Sequence, residues 1–392
     1  MTGDVRPRVL FVGRGRIRSP LGRGLELRFE ALSGQLDWRQ LGTAADGKPS
    51  PDPRLVLARP SPLRLLDGPL YYARLPRRIA RELRRFRPDA VIAQGAQETA
   101  LALLARRLAR SKSAVILDLH GDWRAPTRLY GSRGRRLLDP LADALARGAL
   151  RHADAVRTIS AYTTALVRAE GIEPAAEFPA FMDLEPFAAN SVTPLPETPR
   201  ALFVGVLERY KAFDVLAEAW TGVASSVPEA VLHVVGQGAL APVAERLLEE
   251  LPGRVEWSPS LTAEEVASAL DAATLLVLPS RSEGMGRVVI EAGCRGRAVV
   301  GSRVGGIPDV VVDGATGVLV SPGNAGALAE ALERVLSDRA LAERLGAEAR
   351  IRVEQWLTTP DEYARRVRDL VQTVISSVWG PAMPGPTTHR QR

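Results

Sequence analysis

RSEGMGRVVIEAGCRGRAVVGSRVGGIPDVV, residues 281–311, is the stretch of this chain that says most about its fold. It places Glu283 and Glu291 eight positions apart, and Gly284 and Gly286 follow directly after the first glutamate. The apolar run TLLVLPS before it predicts a buried strand, and RVVIEAG predicts a helix. Because glycine has no Cβ, the loop between strand and helix can approach a ligand closely. Ordinary packing does not require two glycines there.

The helix is expected to begin near Arg287. Its first turn presents unpaired N–H groups and the positive end of the helix dipole, which favour phosphate oxygens. Glu291 would lie one turn inside the helix, where it can accept hydrogen bonds from both hydroxyls of a ribose, and Glu283 would face a sugar. Each residue also has an ordinary explanation. A glutamate early in a helix is favoured by the dipole, and a loop glutamate is commonly just exposed.

The composition predicts a soluble protein of two domains. The chain has 392 residues, 46% of them hydrophobic and 25% charged, which is typical of globular proteins and too long for one ordinary core. Its one cysteine, Cys294, allows no internal disulfide and suits a reducing cytoplasm. The N-terminal sequence resembles a strand rather than a signal peptide, and no apolar window reaches the roughly 20 residues of a spanning helix. We therefore expect a cytoplasmic location.

Charge is distributed unevenly along the chain. Residues 1–150 carry 29 Lys and Arg against 14 Asp and Glu, whereas residues 151–392 carry 23 against 31. Arginine clusters at 74–88 and 130–138 account for much of the excess. One explanation is a solvated face. The other is an anionic partner, either a phosphorylated acceptor or the inner face of a membrane that the protein contacts peripherally. Nucleic acid is not expected, because no zinc-finger, basic-zipper or RNA-binding motif accompanies the charge.

Short apolar runs alternate with helical patterns in two successive series, separated by a Pro-rich polar stretch. The first series of strands is expected at 8–13, 90–94, 114–120 and 155–160, and the second at 200–205, 230–236, 254–259, 274–280, 298–302 and 317–322. Helical segments between strands of the first series are expected at 73–86, 98–110 and 134–150. This alternation predicts an α/β protein with two doubly wound parallel-sheet domains that face each other across a cleft. The predicted parts are an N-terminal Rossmann-like domain (1–192), a linker (193–199), a C-terminal Rossmann-like domain (200–358), a helix that crosses back to the N-terminal domain (359–379) and a disordered tail (380–392).

The segment TLLVLPSRSEGMGRVVIEAGCRGRAVVGSRVGGIPDVVVDGATGVLVSPGN closely resembles the retaining glycosyltransferases of family 4, which have the GT-B fold of two Rossmann-like domains. The resemblance covers most of residues 200–340. It rests on the two glutamates separated by seven residues, followed by GGIPD and DGATGVLVSPGN. It implies a metal-independent transferase, with no cofactor, that moves a sugar from a UDP- or GDP-linked donor to an acceptor hydroxyl. The N-terminal domain (1–192) would bind the acceptor, and the C-terminal domain (200–358) would bind the nucleotide sugar. It also implies that the leaving diphosphate deprotonates that hydroxyl on the same face of the sugar.

The resemblance assigns roles to further residues. The lysine that binds the diphosphate corresponds to Lys211, and the arginine of the family is replaced by Val206, so that Arg209 is the nearest substitute. His120, at the end of a strand, would contact the transferred sugar, and Asp122 and Trp123 could help to shape the acceptor pocket. The predicted catalytic residues are thus His120, Glu283 and Lys211, and the predicted donor-binding residues are Gly22, Gly24, Arg209, Lys211, Gly284, Met285, Gly286 and Glu291.

Two alternatives to this prediction remain. The sequence GQGALA (236–241), with Glu256 beyond it, is similar to a dinucleotide-binding fingerprint, although it follows the second strand of its series rather than the first. That interpretation explains neither glutamate of the 281–311 segment. The chain could also be a non-catalytic member of the same fold that binds a sugar nucleotide or scaffolds other enzymes, an alternative that the absence of the family arginine at Val206 leaves open. No spacing of His, Cys or Asp typical of a metal site is visible.

Overall fold

The computed structural model describes residues 6–48, 50–61, 63–124, 139–188 and 191–380. They form two parallel sheets, one in each half of the chain. The first sheet has the strand order β3-β2-β1-β4-β5-β6-β7 and the second has the order β10-β9-β8-β11-β12-β13. In each sheet the order reverses beside the first strand, at β1/β4 and at β8/β11, which is the topological switch point where doubly wound proteins bind ligands. The predicted fold class is confirmed.

The strands are β1 (Arg8–Ile17), β2 (Asp37–Ala44), β3 (Leu55–Ala58), β4 (Ala90–Gln94), β5 (Ala114–Leu119), β6 (Ala155–Thr158), β7 (Ala176–Glu177), β8 (Arg200–Val204), β9 (Val231–Val235), β10 (Val255–Ser258), β11 (Leu275–Leu278), β12 (Ala298–Ser302) and β13 (Gly317–Val320).

The helices are α1 (Arg23–Gln35), α2 (Arg64–Arg85), α3 (Ala96–Ala109), α4 (Asp139–His152), α5 (Ala161–Arg168), α6 (Glu185–Ala188), α7 (Phe213–Ser226), α8 (Ala241–Glu250), α9 (Ala263–Asp271), α10 (Arg287–Cys294), α11 (Ile307–Val310), α12 (Ala325–Ser337), α13 (Arg339–Val353) and α14 (Pro360–Trp379).

The first strand extends further than its apolar run predicts. β1 continues to Ile17, beyond a register shift between Val12 and Arg16, and pairs with the end of β2. Residues 14–16, which follow the irregularity, are exposed, whereas the side chain of Ile17 is buried. The connection to α1 is therefore limited to residues 18–22.

The last helix, α14, packs against the N-terminal half of the chain. Its Tyr363 ring lies 6.1 Å from Phe178 and 5.9 Å from Phe181, and Arg368 donates a hydrogen bond to Gln35 of α1 at 2.7 Å. The side chain of Thr359 caps the helix by accepting from the backbone N–H of Glu362. These contacts tie α14 to the N-terminal half of the chain.

Some predicted features cannot be compared with the structure. The arginine cluster at 130–138 and the predicted tail after Gly380 lie outside the described residues. The predicted linker is described, and it is fastened to the second half, because Arg339 donates to the carbonyls of Leu195 and Pro196. Among the helices that the structure describes, none combines the length and apolar character needed to cross a membrane.

Candidate functional site

The loop between β11 and α10 is clamped by backbone on two sides. A Cβ at Gly284 would lie 2.1 Å from the carbonyl oxygen of His120, at the end of β5 in the first half. A Cβ at Gly305 would lie 1.8 Å from the carbonyl oxygen of Glu283. Gly286 has φ +76°, a left-handed conformation that glycine adopts without strain, and forms the N-cap of α10. Glycines at 284 and 286 thus serve a close approach between the two halves and a sharp entry into the helix.

Two hydrogen bonds reinforce this contact between the halves. The Ser160 hydroxyl, at the N-cap of α5, donates to the carbonyl oxygen of Gly284 at 3.1 Å. The backbone N–H of Tyr162 donates to the Asp309 carboxylate of α11 at 2.9 Å. The carboxyl ends of β5 and β11 are therefore held next to each other, with His120 on one side and Glu283 on the other.

Lys211 and Glu283 form an ion pair at this edge. The Lys211 ammonium donates to both carboxylate oxygens, at 2.5 and 3.1 Å, and the two side chains are only 13% and 10% exposed. Lys211 is the last residue of a short 3₁₀ turn that follows β8. The two predicted catalytic residues of the second half are thus in contact, and the ammonium and the carboxylate neutralise each other's charge.

The side chains at the neighbouring positions 206 and 209 are exposed to solvent. Val206 is 46% exposed, where the resemblance would have an arginine. Arg209 is exposed, and within the described part of the chain its side chain has no hydrogen-bond partner, although its carbonyl accepts from Arg281 at 2.7 Å. Arg281 is in turn fixed by two hydrogen bonds to Asp214. The structure does not bring the exposed Arg209 side chain into hydrogen-bond contact with the Lys211–Glu283 pair.

Glu291 lies in α10 as predicted and is 7% exposed. Burial raises the pKa of its carboxyl, and the charge and hydrogen bond of Arg287 oppose that rise. The Arg287 Nε donates to Glu291 Oε1 at 2.5 Å, one helical turn away. Met285 differs from its neighbours, because its side chain is 6% exposed and packs in the apolar core of the second half. Met285 can therefore contact a donor only through its backbone, like Gly284 and Gly286 on either side of it.

His120 is held by the first half through both ring nitrogens. Nε2 lies 2.9 Å from a carboxylate oxygen of Asp118, and Gln94 Nε2 lies 3.1 Å from Nδ1. An imidazole with its proton on Nε2 satisfies both contacts, donating to the carboxylate and accepting from the amide. Asp118 also accepts from Arg157, at 2.6 Å.

The Asp118 carboxylate is ionised despite its depth. Burial opposes its charge, but Arg157 and His120 hold the pKa of Asp118 below its ordinary value through charge and hydrogen bonding. Arg157 additionally donates to the carbonyls of Phe178 and Pro179, both at 2.8 Å. Asp118, Gln94 and Arg157 were not predicted as site residues from the sequence. The acid within the apolar run AVILDLH was a signal for the first of them, since a lone acid in a buried strand needs a partner.

Two cavities adjoin these residues. One, of about 260 Å³, lies in the first half beneath His120 and Gln94 and is walled by aromatic rings. The other, of about 580 Å³, lies between the halves, where Gly22 and Gly24 of the α1 entry face Thr262 and Arg287. The predicted glycines of the first half therefore reach the same cavity as the start of α10. A Cβ at Gly22 would meet nothing within 4 Å, so that its lack of a side chain is not a packing requirement.

The fingerprint-like sequence at 236–241 has a packing role. A Cβ at Gly236 would lie 1.9 Å from the carbonyl oxygen of Gly205, and one at Gly238 would lie 2.5 Å from that of Leu207. Glu256 forms an ion pair with Arg200 at 2.5 Å. These glycines follow β9, whereas the switch point of the sheet lies at β8/β11. In the described part of the chain, no three His, Cys, Asp or Glu side chains are grouped as metal ligands.

Comparisons with known proteins agree with the two-sheet architecture. The model of the family "Glycosyl transferases group 1" matches residues 189–352, and that of the "Glycosyl transferase 4-like domain" matches residues 23–177. Sucrose-phosphate synthase from Thermosynechococcus elongatus superposes with a TM-score of 0.78 at 22% identity, over 95% of this chain and 100% of that one. Anabaena HepE in complex with UDP-glucose superposes with a TM-score of 0.64 at 18% identity, over 95% and 100%.

Curated relatives are similar over part of their length. Sulfoquinovosyl transferase SQD2 from Arabidopsis thaliana is 32% identical over 164 residues, which cover 41% of this chain and 31% of the relative. The D-inositol 3-phosphate glycosyltransferase of Mycobacterium bovis is 31% identical over 241 residues, which cover 59% of this chain and 48% of the relative. The chain thus spans less than half the length of either relative.

Proposed function

Since the chain belongs to the group 1 glycosyltransferases of family 4, we propose that it is a retaining enzyme that transfers a sugar from a nucleoside-diphosphate sugar to an acceptor hydroxyl. The donor would be UDP- or GDP-linked. The structural neighbour HepE, which was solved in complex with UDP-glucose, supports a UDP-linked donor. The observation that carries the proposal is the contact of Gly284 with the His120 carbonyl, which sets His120 beside the Lys211–Glu283 pair at the carboxyl ends of both sheets.

The donor would lie with its nucleoside toward the second half. Glu291 offers a carboxylate to the ribose hydroxyls, and the first turn of α10 offers N–H groups to the phosphates. Lys211 supplies the cation that the diphosphate needs as the glycosidic bond breaks and negative charge grows on the leaving oxygen. The donor phosphate would share this ammonium with Glu283, which lies at hydrogen-bond distance from it.

The chemistry proposed is a displacement on one face of the sugar. The glycosidic C–O bond breaks toward the diphosphate, and the acceptor hydroxyl forms the new C–O bond from the same side. The acceptor proton passes to the departing phosphate oxygen, so that atoms and charge balance without a metal or a covalent enzyme intermediate. His120, fixed by Asp118 and Gln94, would present its ring and its backbone to the transferred sugar.

The experiment is a panel of UDP-, GDP-, ADP- and dTDP-sugars with nucleoside diphosphate release as the readout, in the presence and absence of EDTA. Proton NMR of the released or transferred sugar gives the anomeric configuration formed first. Release from one donor, insensitive to EDTA and with retained configuration, is the expected result. Inverted configuration would contradict retention, and loss of activity with EDTA would contradict metal independence.

The non-catalytic alternative rests on exposed Val206. It predicts that a nucleotide sugar raises the melting temperature of the protein while no nucleoside diphosphate is released. Release of nucleoside diphosphate by the wild type therefore separates the two cases. Replacing Val206 by Arg should raise donor affinity in either case, with turnover seen only in an active enzyme.

We also propose a peripheral membrane contact at the inner face, through the basic edge of the first half. A groove of about 800 Å³ at the amino ends of its strands is lined by Arg84, Arg87, Arg110 and Lys112 beside Trp379, which is 47% exposed. Cations with an aromatic side chain suit an anionic lipid surface. Sedimentation with phosphatidylglycerol vesicles but not phosphatidylcholine vesicles is the expected result. Equal recovery with both, or with neither, would contradict the proposal.

A further inference from the structure

Arg28, in the second turn of α1, is a half-buried arginine without an anionic partner among the described residues. Its guanidinium lies over three aromatic rings, 5.6 Å from Phe11, 5.8 Å from Phe29 and 5.9 Å from Tyr363. Its Nε is buried and has no hydrogen-bond partner, and no ion pair joins Arg28 to a described carboxylate. The aromatic faces stabilise the cation but offer no oxygen acceptor to its buried Nε–H.

Other arginines of this half donate to oxygen acceptors, although Arg78 Nη1 and Arg157 Nε are also buried without a partner among the described residues. Arg39 donates to Glu82 at 2.7 Å, and Arg54 is bidentate on Asp52. Arg78 donates to two backbone carbonyls, and Arg157 donates to Asp118 and to two more. Arg28 differs from these arginines, because none of its N–H groups has an acceptor among the described residues and its Nε is buried.

Arg28 lines the 260 Å³ cavity beneath His120. Asp118 lines the same cavity, but its charge is balanced by Arg157 at 2.6 Å, and Arg16 is paired with Asp67 at 2.7 Å. The uncompensated charge among the described residues of this cavity is therefore that of Arg28, and it is positive. The apolar wall includes Phe11, so a ligand charge inside would be poorly screened.

The residues that line this cavity come from the first half and from α14, and none of them comes from the second sheet. Neither Lys211 nor the first turn of α10, the candidate partners of the donor diphosphate, borders it. A ligand that fills the cavity thus approaches the site from the acceptor side.

We infer that Arg28 is the anchor of an anion subsite, and that the acceptor carries a phosphate or carboxylate group that pairs with the Arg28 guanidinium inside the aromatic cavity. A planar guanidinium suits bidentate pairing with either group. The assignment of this anion to the acceptor rests on the proposed function, whereas the existence of the subsite does not.

The test is calorimetric titration of inorganic phosphate and, separately, acetate into the full chain carrying Lys211→Gln, which removes the cation expected to hold the donor diphosphate. The same titrations follow with Arg28→Gln added, or with Arg23→Gln added as the matched control. Arg23 lies on the same helix but is exposed and already paired with Glu185 at 2.5 Å. Both added changes remove one positive charge, so long-range effects on anion binding are similar.

The expected result is that Arg28→Gln weakens binding of one of the two anions at least tenfold, while Arg23→Gln changes it less than twofold. A preference for phosphate would identify a phosphorylated acceptor, and a preference for acetate a carboxylated one. Equal effects of the two substitutions, or no measurable binding of either anion before Arg28 is changed, would overturn the subsite.

Arg28→Lys is a second control, because it keeps the positive charge and should retain part of the affinity for the anion. Circular dichroism checks that each variant is folded. Because the titration uses no nucleotide sugar, its outcome is independent of donor turnover. Anion binding without turnover would refute the proposed function alone, and turnover without anion binding would refute the subsite alone.

Discussion

The substitution Gly284→Ala tests whether contact between the two halves builds the site. A new Cβ would lie 2.1 Å from the His120 carbonyl oxygen, whereas ordinary van der Waals contact begins at 3.4 Å. The neighbouring atoms are backbone on both sides, so neither can rotate away. The two strand ends must separate by about 1 Å, and a displacement of about 1 Å at a reacting centre can lower the rate about 100-fold.

We therefore expect Gly284→Ala to lower the rate of nucleoside diphosphate release about 100-fold. The free energy of unfolding should fall by no more than the roughly 1–3 kcal/mol typical of overpacking, because opening of the cleft relieves the clash. Affinity for the free nucleotide should stay within a few-fold of wild type, since Glu291 and the start of α10 lie in the second half. The assays are steady-state release, chemical denaturation and calorimetric titration of the nucleotide.

Gly222→Ala is the matched control. Gly222 lies in α7, where a new Cβ would meet only the Ala329 Cβ at 4.0 Å, and activity should be unchanged. Wild-type turnover by Gly284→Ala would refute the reasoning, because it would mean that the contact with His120 is not part of the catalytic arrangement. Loss of nucleotide affinity together with turnover would instead point to damage within the second half.

Three further predictions concern single groups. Replacement of Asp118 by Asn should lower the free energy of unfolding by about 3–5 kcal/mol in a denaturant titration, because it leaves the buried Arg157 charge uncompensated; a change within about 1 kcal/mol would show that backbone carbonyls suffice. Nucleotide affinity should decline as pH falls through the raised pKa of Glu291, which lies at a higher pH than that of an ordinary glutamate. The Glu291→Gln protein should bind the nucleotide weakly, and its affinity should not change with pH across that window. In the same window, ionisation costs more in the folded chain than in the unfolded one, so the free energy of unfolding should fall as pH rises; a Glu291→Gln protein with the wild-type slope would argue against this. Replacement of Gly236 by Ala, where a Cβ would lie 1.9 Å from the Gly205 carbonyl oxygen, should lower the melting temperature without an activity loss beyond that of destabilisation, and an unchanged melting temperature would refute its packing role.

Much of the fold could be predicted because buried parallel strands are apolar along their whole length. The predicted runs at 90–94 and 298–302 coincide with β4 and β12. β2, DWRQLGTA, was not predicted, because its first half is polar and its burial has no simple alternation. β7 escaped prediction because two residues carry no periodicity.

The site was predictable where a motif carries it and not where side chains from distant segments meet. The spacing of Glu283 and Glu291 located the loop and the helix start. The contact of Gly284 with His120 depends on how the two sheets face each other, which no local pattern encodes. The partner of Lys211 also depends on tertiary structure, and so does the absence of a partner for Arg28 among the described residues. The role of each predicted site residue stays a prediction.

The measurement that tests the central claim most directly is a thermal-shift titration with the nucleoside-diphosphate sugars on the wild type, Glu291→Ala and Glu256→Ala. The two substitutions remove one carboxylate each from the second half, but only Glu291 lies at the proposed donor site, while Glu256 is paired with Arg200. We predict that one donor raises the melting temperature of the wild type and of Glu256→Ala, and that Glu291→Ala loses the response. Loss of the response in Glu256→Ala with its retention in Glu291→Ala would contradict the proposed donor site and favour the dinucleotide-binding interpretation.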